Sequence, residues 1–269
     1  MDHTIDIAVN GAGGRMGKAV LRASADRRDV RIVAALVRPE SGLAGQTPPI
    51  PNGIAPDLRY TTALDASTQP AVLIDFSGAG GFDAALALAC QRGMAFVCGS
   101  TGLSASQQAA LDETAQIIPL LWSANFSLGM AALTRAVRDV AQRLAGWDCE
   151  IVEAHHRQKQ DAPSGTALAL GRAVADARGQ AFDDVAQFTH AGVSGTRAAG
   201  AVGFAVVRGG DIAGEHAVMF IGTGERIELC HRASDRGIFA RGAMAAAAWI
   251  AGRAPRRYAL DEVQADATT

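Results

Sequence analysis

A chain that runs an apolar, β-like segment straight into glycines and then into a helical segment has few ways to fold. Here Thr4 to Val9 leads into GAGGRMGKAV, Gly11 to Val20, and a helical run from about Met16 to Ala25. Gly11, Gly14 and Gly17 match G-x-x-G-x-x-G, a variant of the dinucleotide-binding loop. Glycines let the backbone turn tightly and approach a pyrophosphate, whose charge then meets unpaired N–H groups at the helix start. The plain alternative is an ordinary strand-to-helix turn.

The alternation continues along the first half. Strand-like runs at Arg31 to Val37, Ala71 to Asp75, Met94 to Cys98 and Ile117 to Trp122 are interleaved with helical runs at Phe82 to Gln91 and Ala105 to Gln116. The latter opens on Ser104-x-x-Gln107, a capping box. Strands and helices in alternation predict an α/β fold with a doubly wound parallel sheet. From about Asn125 the pattern changes. Glu150 to Ala154, a polar stretch, a helix from Gly165 to Ala177 and three strand-like runs follow: Val202 to Arg208, Glu215 to Ile221 and Arg226 to His231. Short turns at Gly209-Gly210 and Gly222-Thr223-Gly224 separate these runs, which predicts an antiparallel or mixed sheet in a second, α+β domain. A last helix, Asp235 to Ala251, can pack back on the first domain before a polar tail with Arg256-Arg257. The expected domains are 1–126, completed by about 237–269, and 127–236.

At 269 residues the chain can bury a sizeable core. A net charge of -2 gives no reason to expect nucleic acid or another polyanion as partner. Cys90, Cys98, Cys149 and Cys230 form no C-x-x-C pair and read as reduced core residues. The beginning MDHTIDIAVNG lacks signal-peptide features, and no apolar run approaches the roughly 20 residues that span a bilayer, so a cytoplasmic protein without membrane partners is expected.

The choice of dinucleotide falls at the end of the second strand, where a carboxylate suits the ribose of NAD and an arginine the 2′-phosphate of NADP. Val37 occupies the carboxylate position and Arg38 follows, which favours NADPH, with Arg15 as a second cation. Glu40 can still reach a ribose, which keeps NADH possible.

The densest chemistry lies in EAHHRQKQDAPSGTAL, Glu153 to Leu168. On a strand His155 and His156 point to opposite faces and so do different jobs. A metal site is disfavoured: the cysteines are remote and H-H-x-x-K lacks the i, i+4 histidine pair of zinc helices. Ser164 is a good N-cap, and the helix beginning at Gly165 aims N–H groups and hydroxyls at whatever precedes it, which suits a carboxylate. His155, His156, Arg157 and Lys159 add positive charge, and a histidine with a lysine can transfer protons. A solvated loop without a role is the alternative.

With these residues in view, EAHHRQKQDAPSGTA resembles the signature of the 4-hydroxy-tetrahydrodipicolinate reductase (dihydrodipicolinate reductase) family. The likeness extends to GAGGRMG, IDFS at Ile74, GSTG at Gly99, SANFSLG at Ser123, GFAVVRGGDIAGEH at Gly203 and HRASDRGIFARGA at His231. The resemblance implies a Rossmann-like cofactor domain, a substrate domain whose sheet builds a homotetramer, and reduction of a cyclic dicarboxylate by NAD(P)H with loss of water on the diaminopimelate route to lysine. It implies His155 as proton donor or acceptor, Lys159 as proton donor, and His156 with Ser164, Gly165 and Thr166 around the substrate carboxylates. It places the cofactor on Gly11, Ala12, Gly13, Gly14, Arg15 and Met16, at Arg38, and against Gly99, Ser100, Thr101, Ser123, Ala124, Asn125 and Phe126. Arg236 is a weaker candidate for the site's rim. Val37, Ser100 and Ala131 depart from the residues common in the family, and Val37 implies a preference for NADPH.

Overall fold

The computed structural model describes residues 4–50, 57–188 and 195–263. The first half runs β1 (Ile5–Asn10), α1 (Arg15–Ala23), β2 (Val30–Leu36), β3 (Tyr60–Thr61), β4 (Val72–Asp75), α2 (Ala79–Gln91), β5 (Ala95–Cys98), α3 (Ala105–Thr114) and β6 (Pro119–Trp122). It continues with α4 (Leu128–Arg143), β7 (Asp148–His155), α5 (Gly165–Ala177), α6 (Phe182–Val185), β8 (Ala186–Gln187), β9 (Val202–Arg208), β10 (Gly214–Ile221) and β11 (Arg226–Ala233), and closes with α7 (Gly237–Ile250) and β12 (Arg256–Tyr258). The chain divides into two compact units, residues 1–128 with 237–269, and residues 129–236.

In the first unit seven strands lie in the order β12-β6-β5-β4-β1-β2-β3, all paired in parallel. β4 and β5 read VLID and AFVC and are buried at every residue, as strands covered on both faces must be. Phe82 and Leu86 of α2 and Leu111 of α3 pack with Leu73, Phe96 and Leu120 of the sheet. α7, built largely of alanine, lies close against α1 and against β4, β5 and β6. The Ser104 capping box is present, with Gln107 N–H donating to Ser104 Oγ and Ser104 N–H to Gln107 Oε1. The strand order reverses between β1 and β4, so the crevice at their carboxyl ends is the place where such sheets bind ligands.

One expectation is corrected in this unit. Arg256-Arg257 is no tail: it forms β12, an edge strand beside β6, with Arg256 paired to Glu262 and Arg257 to Asp112.

The second unit is a mixed sheet in the order β11-β10-β7-β9-β8. β7 alternates strictly: Cys149, Ile151, Glu153 and His155 are buried while their neighbours are less so. Its inner face is covered by Met130 and Val137 of α4 and Leu170 and Val174 of α5, packed with Ile151, Phe204, Val218 and Phe220. Pairing overturns the simple reading of Gly209-Gly210 as a turn between neighbouring strands. β9 is parallel to β7 and β10 antiparallel to it, one on each side, so residues 209–213 arch over the carboxyl end of β7. Gly209 N–H donates to the His155 carbonyl, His156 N–H to the Ile212 carbonyl and Arg157 N–H to the Gly210 carbonyl, fixing that strap.

The cysteines divide. Cys98 and Cys149 are buried and their thiols pushed up by burial, Cys149 to about 12. Cys90 is only partly buried, and Cys230 is exposed on the edge strand β11. No helix among the described residues is long and apolar enough to cross a membrane.

Candidate active site

The residues singled out in the sequence gather into two clusters, one in each unit. In the first unit the segments after β1, β2, β4, β5 and β6 leave the sheet at one edge, because parallel strands end together. Gly11 has φ of +72°, and a Cβ there would stand 2.6 Å from the Phe76 carbonyl oxygen. A Cβ on Gly17 would collide with the Gly11 carbonyl, and one on Gly13 would meet Leu43. No side chain caps the start of α1 at Gly14, which leaves helix-terminal N–H groups for an anion. The side chain of Val37 is buried against the loop, 3.3 Å from where a Gly13 Cβ would be, and Arg38 is exposed beside it. These features suit a dinucleotide: a tight glycine turn, a polar helix start and a cation at the end of β2.

Beneath the loops lies Asp75, fully buried at the end of β4. Its Oδ1 accepts from Asn10 Nδ2 at 2.8 Å and its Oδ2 from Ser100 Oγ at 2.6 Å, while Gly78 N–H donates to Ser100 Oγ. Ser100 is therefore spent on joining two loops. Phe126 is likewise buried, edge-on to Phe76 with ring centroids 5.7 Å apart. Gly99, Thr101, Ser123, Ala124 and Asn125 keep some exposure, as do Arg15 and Met16, whereas Ala12 is buried.

In the second unit β7 delivers His155 inward and the strap receives His156. Glu153, two residues before His155 and so on the same face, is 1% exposed. One of its oxygens, Oε2, lies 2.6 Å from His155 Nδ1 and 2.7 Å from Arg208; the other, Oε1, accepts the Ser164 N–H at 2.9 Å and a second Arg208 nitrogen at 2.8 Å. Burial pushes the Glu153 carboxyl up, but the bonds from Arg208, His155 and Ser164 outweigh it and hold the group below its usual range. Arg208 also donates to the Asp161 carbonyl, pinning the loop that carries Lys159.

Lys159 Nζ pairs with Asp161 at 2.9 Å, whose carboxyl is lowered by that bond. His156 Nε2 accepts from Arg236 at 2.8 Å. Loss of solvent, then the charge of Arg236, pulls this imidazole below its ordinary value, so it is a neutral ring. His156, Arg236, Arg157, Gln158, Gly210 and Asp211 line an open cleft of about 600 Å³. Ser164 caps α5 by accepting the Ala167 N–H, and its Oγ lies 3.2 Å from His216 Nε2. With its N–H given to Glu153 and the residue only 2% exposed, Ser164 orders the helix start and presents no open face. Gly165 is exposed and Thr166 half-buried at the first turn, with open space where a Gly165 Cβ would stand. His216 is buried and driven to about 4, by burial first and then by the neighbouring His155 ring. It stands edge-on to His155 at 5.2 Å between centroids.

Sequence reasoning missed Glu153, Arg208, His216 and Asp75. Glu153 was legible in principle, since i and i+2 share a strand face. Arg208 and His216 were not, because their approach depends on β9 and β10 flanking β7.

Comparison with known proteins spans both units. The family profile described as dihydrodipicolinate reductase, N-terminus, matches residues 5–126, and that described as dihydrodipicolinate reductase, C-terminus, matches residues 129–263. A Stenotrophomonas maltophilia (strain K279a) protein named 4-hydroxy-tetrahydrodipicolinate reductase is 45% identical over 257 residues, 96% of each chain. An Acinetobacter baumannii (strain AYE) protein of the same name is 43% identical over 261 residues, covering 96% of this chain and 95% of its own. In fold, the chain is similar to the dipicolinate-bound dihydrodipicolinate reductase from Paenisporosarcina sp. TG-14, with a TM-score of 0.79 at 21% identity over 97% of this chain and 100% of that one. With both halves matched and relatives this similar along nearly their whole length, the chain belongs to the dihydrodipicolinate reductase family.

Proposed function

We propose that this chain reduces 4-hydroxy-tetrahydrodipicolinate to tetrahydrodipicolinate with loss of water, using NAD(P)H, as a step of diaminopimelate and lysine biosynthesis. The strongest support is the joining, in the second unit, of an imidazole, an ammonium and a capped helix start, in a chain 45% identical to a named reductase. The first turn of α5 at Gly165 and Thr166, with His156 and Arg236 at the cleft, holds the substrate carboxylates. Charge-assisted hydrogen bonds of this kind fix the ring in place, which makes the transfer effectively intramolecular. Lys159 hands a proton to the carbon that gains electron density on reduction, and His155 donates or accepts the second proton.

The bound cofactor supplies the hydride. Gly11 to Met16 cradle its pyrophosphate, and Gly99 to Thr101 with Ser123 to Phe126 line its nicotinamide end. With Val37 buried and apolar, Arg38 is the group left to meet a 2′-phosphate, so NADPH is preferred over NADH. The first unit is thus the cofactor domain and the second the substrate domain. The sheet of the second unit also builds a homotetramer: its outer face bears Val152, Ala154, Ala205, Ala217 and Met219, and Val207, which is 48% exposed.

The test is loss of NADPH absorbance with purified protein and the condensation product of pyruvate and aspartate semialdehyde, made in situ by its synthase. Oxidation that depends on the synthase product, and faster with NADPH than NADH, is expected. Cofactor binding without such oxidation refutes the reading. Light scattering tests the tetramer.

A further inference from the structure

Four hydrogen bonds converge on the two oxygens of Glu153, and they come from three different parts of the second unit: β7 itself, the start of α5 and β9. A buried carboxylate needs such partners to stay charged, but one strong partner would serve. Here each oxygen takes one nitrogen of Arg208 and one group of the site. Oε2 faces His155 Nδ1, and Oε1 takes the N–H of Ser164, the N-cap of α5.

We propose that Glu153, clamped by Arg208, is a positioning residue that sets two parts of the site at once: it fixes the ring and tautomer of His155, and it anchors the helix start that binds the substrate carboxylate. This rests on the reading of His155 and α5 given above. A carboxylate at Nδ1 calls for a proton there, which leaves Nε2 as the nitrogen offered to chemistry. Nε2 lies on the side of Gly214, where a Cβ would come within 3.1 Å of it, so a side chain on β10 at this position would crowd the ring. The second oxygen fixes the Ser164 backbone, so the hydroxyl that caps Ala167 and the turn at Gly165 hold their places. Arg208 carries the same constraint onward to the Asp161 carbonyl and hence to the Lys159 loop.

The test compares wild type with Glu153→Gln and Arg208→Lys, using ¹⁵N-imidazole NMR, amide hydrogen exchange and steady-state kinetics, with His155→Asn to assign the His155 signals. In wild type His155 is expected with a protonated Nδ1 and a bare Nε2. In E153Q, whose amide can donate to Nδ1, the bare Nε2 form gives way and the Ser164 amide exchanges faster. In that variant kcat falls about 10- to 100-fold while KM for NADPH is unchanged, the range seen when an imidazole loses its orienting partner at a metal site. R208K, which keeps the charge but not the fork, shows a smaller change of the same kind. A bare Nδ1 in wild type overturns the proposal even if no variant folds. So do unaltered His155 signals and kcat in a folded E153Q. If wild type lacks turnover, the reductase reading fails, and the NMR and exchange results still decide on Glu153.

Discussion

The two clusters are built from opposite materials. The first-unit loops are shaped by backbone: glycines at Gly11, Gly13 and Gly17, an uncapped helix start, and one buried carboxylate, Asp75, holding loop to loop. The second-unit cluster is shaped by side-chain charge, with Glu153, Arg208, Asp161 and Lys159 bonded in sequence around two imidazoles. A site made of backbone recognises a common group, a phosphate chain, by closeness of approach. A site made of paired charges can hold a proton at a chosen atom. The first kind is damaged by adding atoms, the second by removing charge.

Four measurements sharpen that contrast. Lys159→Ala is expected to cut kcat by about 10²- to 10⁴-fold, the range of a lost general acid, with NADPH titrating as in wild type. Retained turnover would remove Lys159 from proton transfer. Gly11→Ala adds one carbon at positive φ against the Phe76 carbonyl. Strain of roughly 1–2 kcal/mol from the backbone, joined by overpacking of about 1–3 kcal/mol, should lower stability in urea and weaken NADPH binding. An unchanged titration would mean that the glycine turn is not the cradle.

Next comes acid. His216 titrates at about 4 in the folded chain and near 6.5 when unfolded, so the unfolded chain binds the extra proton between those values. The stability present above pH 6.5 is therefore lost as pH falls toward 4, by about 3 kcal/mol at most. His216→Gln, which can still meet Ser164 Oγ, should flatten that stretch of the stability curve; an equally steep curve would show that His216 is not its source. Smallest is Arg38→Ala, which should raise KM for NADPH about tenfold, the worth of a modest charged hydrogen bond, and leave NADH alone. Equal loss for both cofactors would place Arg38 away from the 2′-phosphate.

The sequence announced those materials unevenly. Local signals carried far: the span of α5, Gly165–Ala177, and that of β9, Val202–Arg208, agree with the periodicity, because each has its own pattern and its own caps or turns. Short strands did not carry. β3, β8 and β12 are two or three residues long and exist only through a neighbour, so nothing within Arg256–Tyr258 marks it as strand rather than polar tail. The same reason hid half of the second cluster. His155, Lys159 and Ser164 sit in one run of sequence, whereas Arg208 and His216 reach Glu153 and Ser164 only because two strands pair across β7. Asp75 stands within IDFS, yet its bonds to Asn10 and Ser100 join β1 and β4 to the loop after β5, which no local pattern records.

The strap over β7 also orders events in time. β7 precedes both of its neighbours in the chain, and β10 cannot pair with it until the segment after β9 has crossed above His155. Pairing of segments distant in sequence is slow, since the loop between them must be closed before any contact rewards it. During synthesis the imidazole and its carboxylate therefore precede both strands that flank them. The cluster around His155 is complete only once Arg208 and His216, carried by strands later in the chain, have joined it.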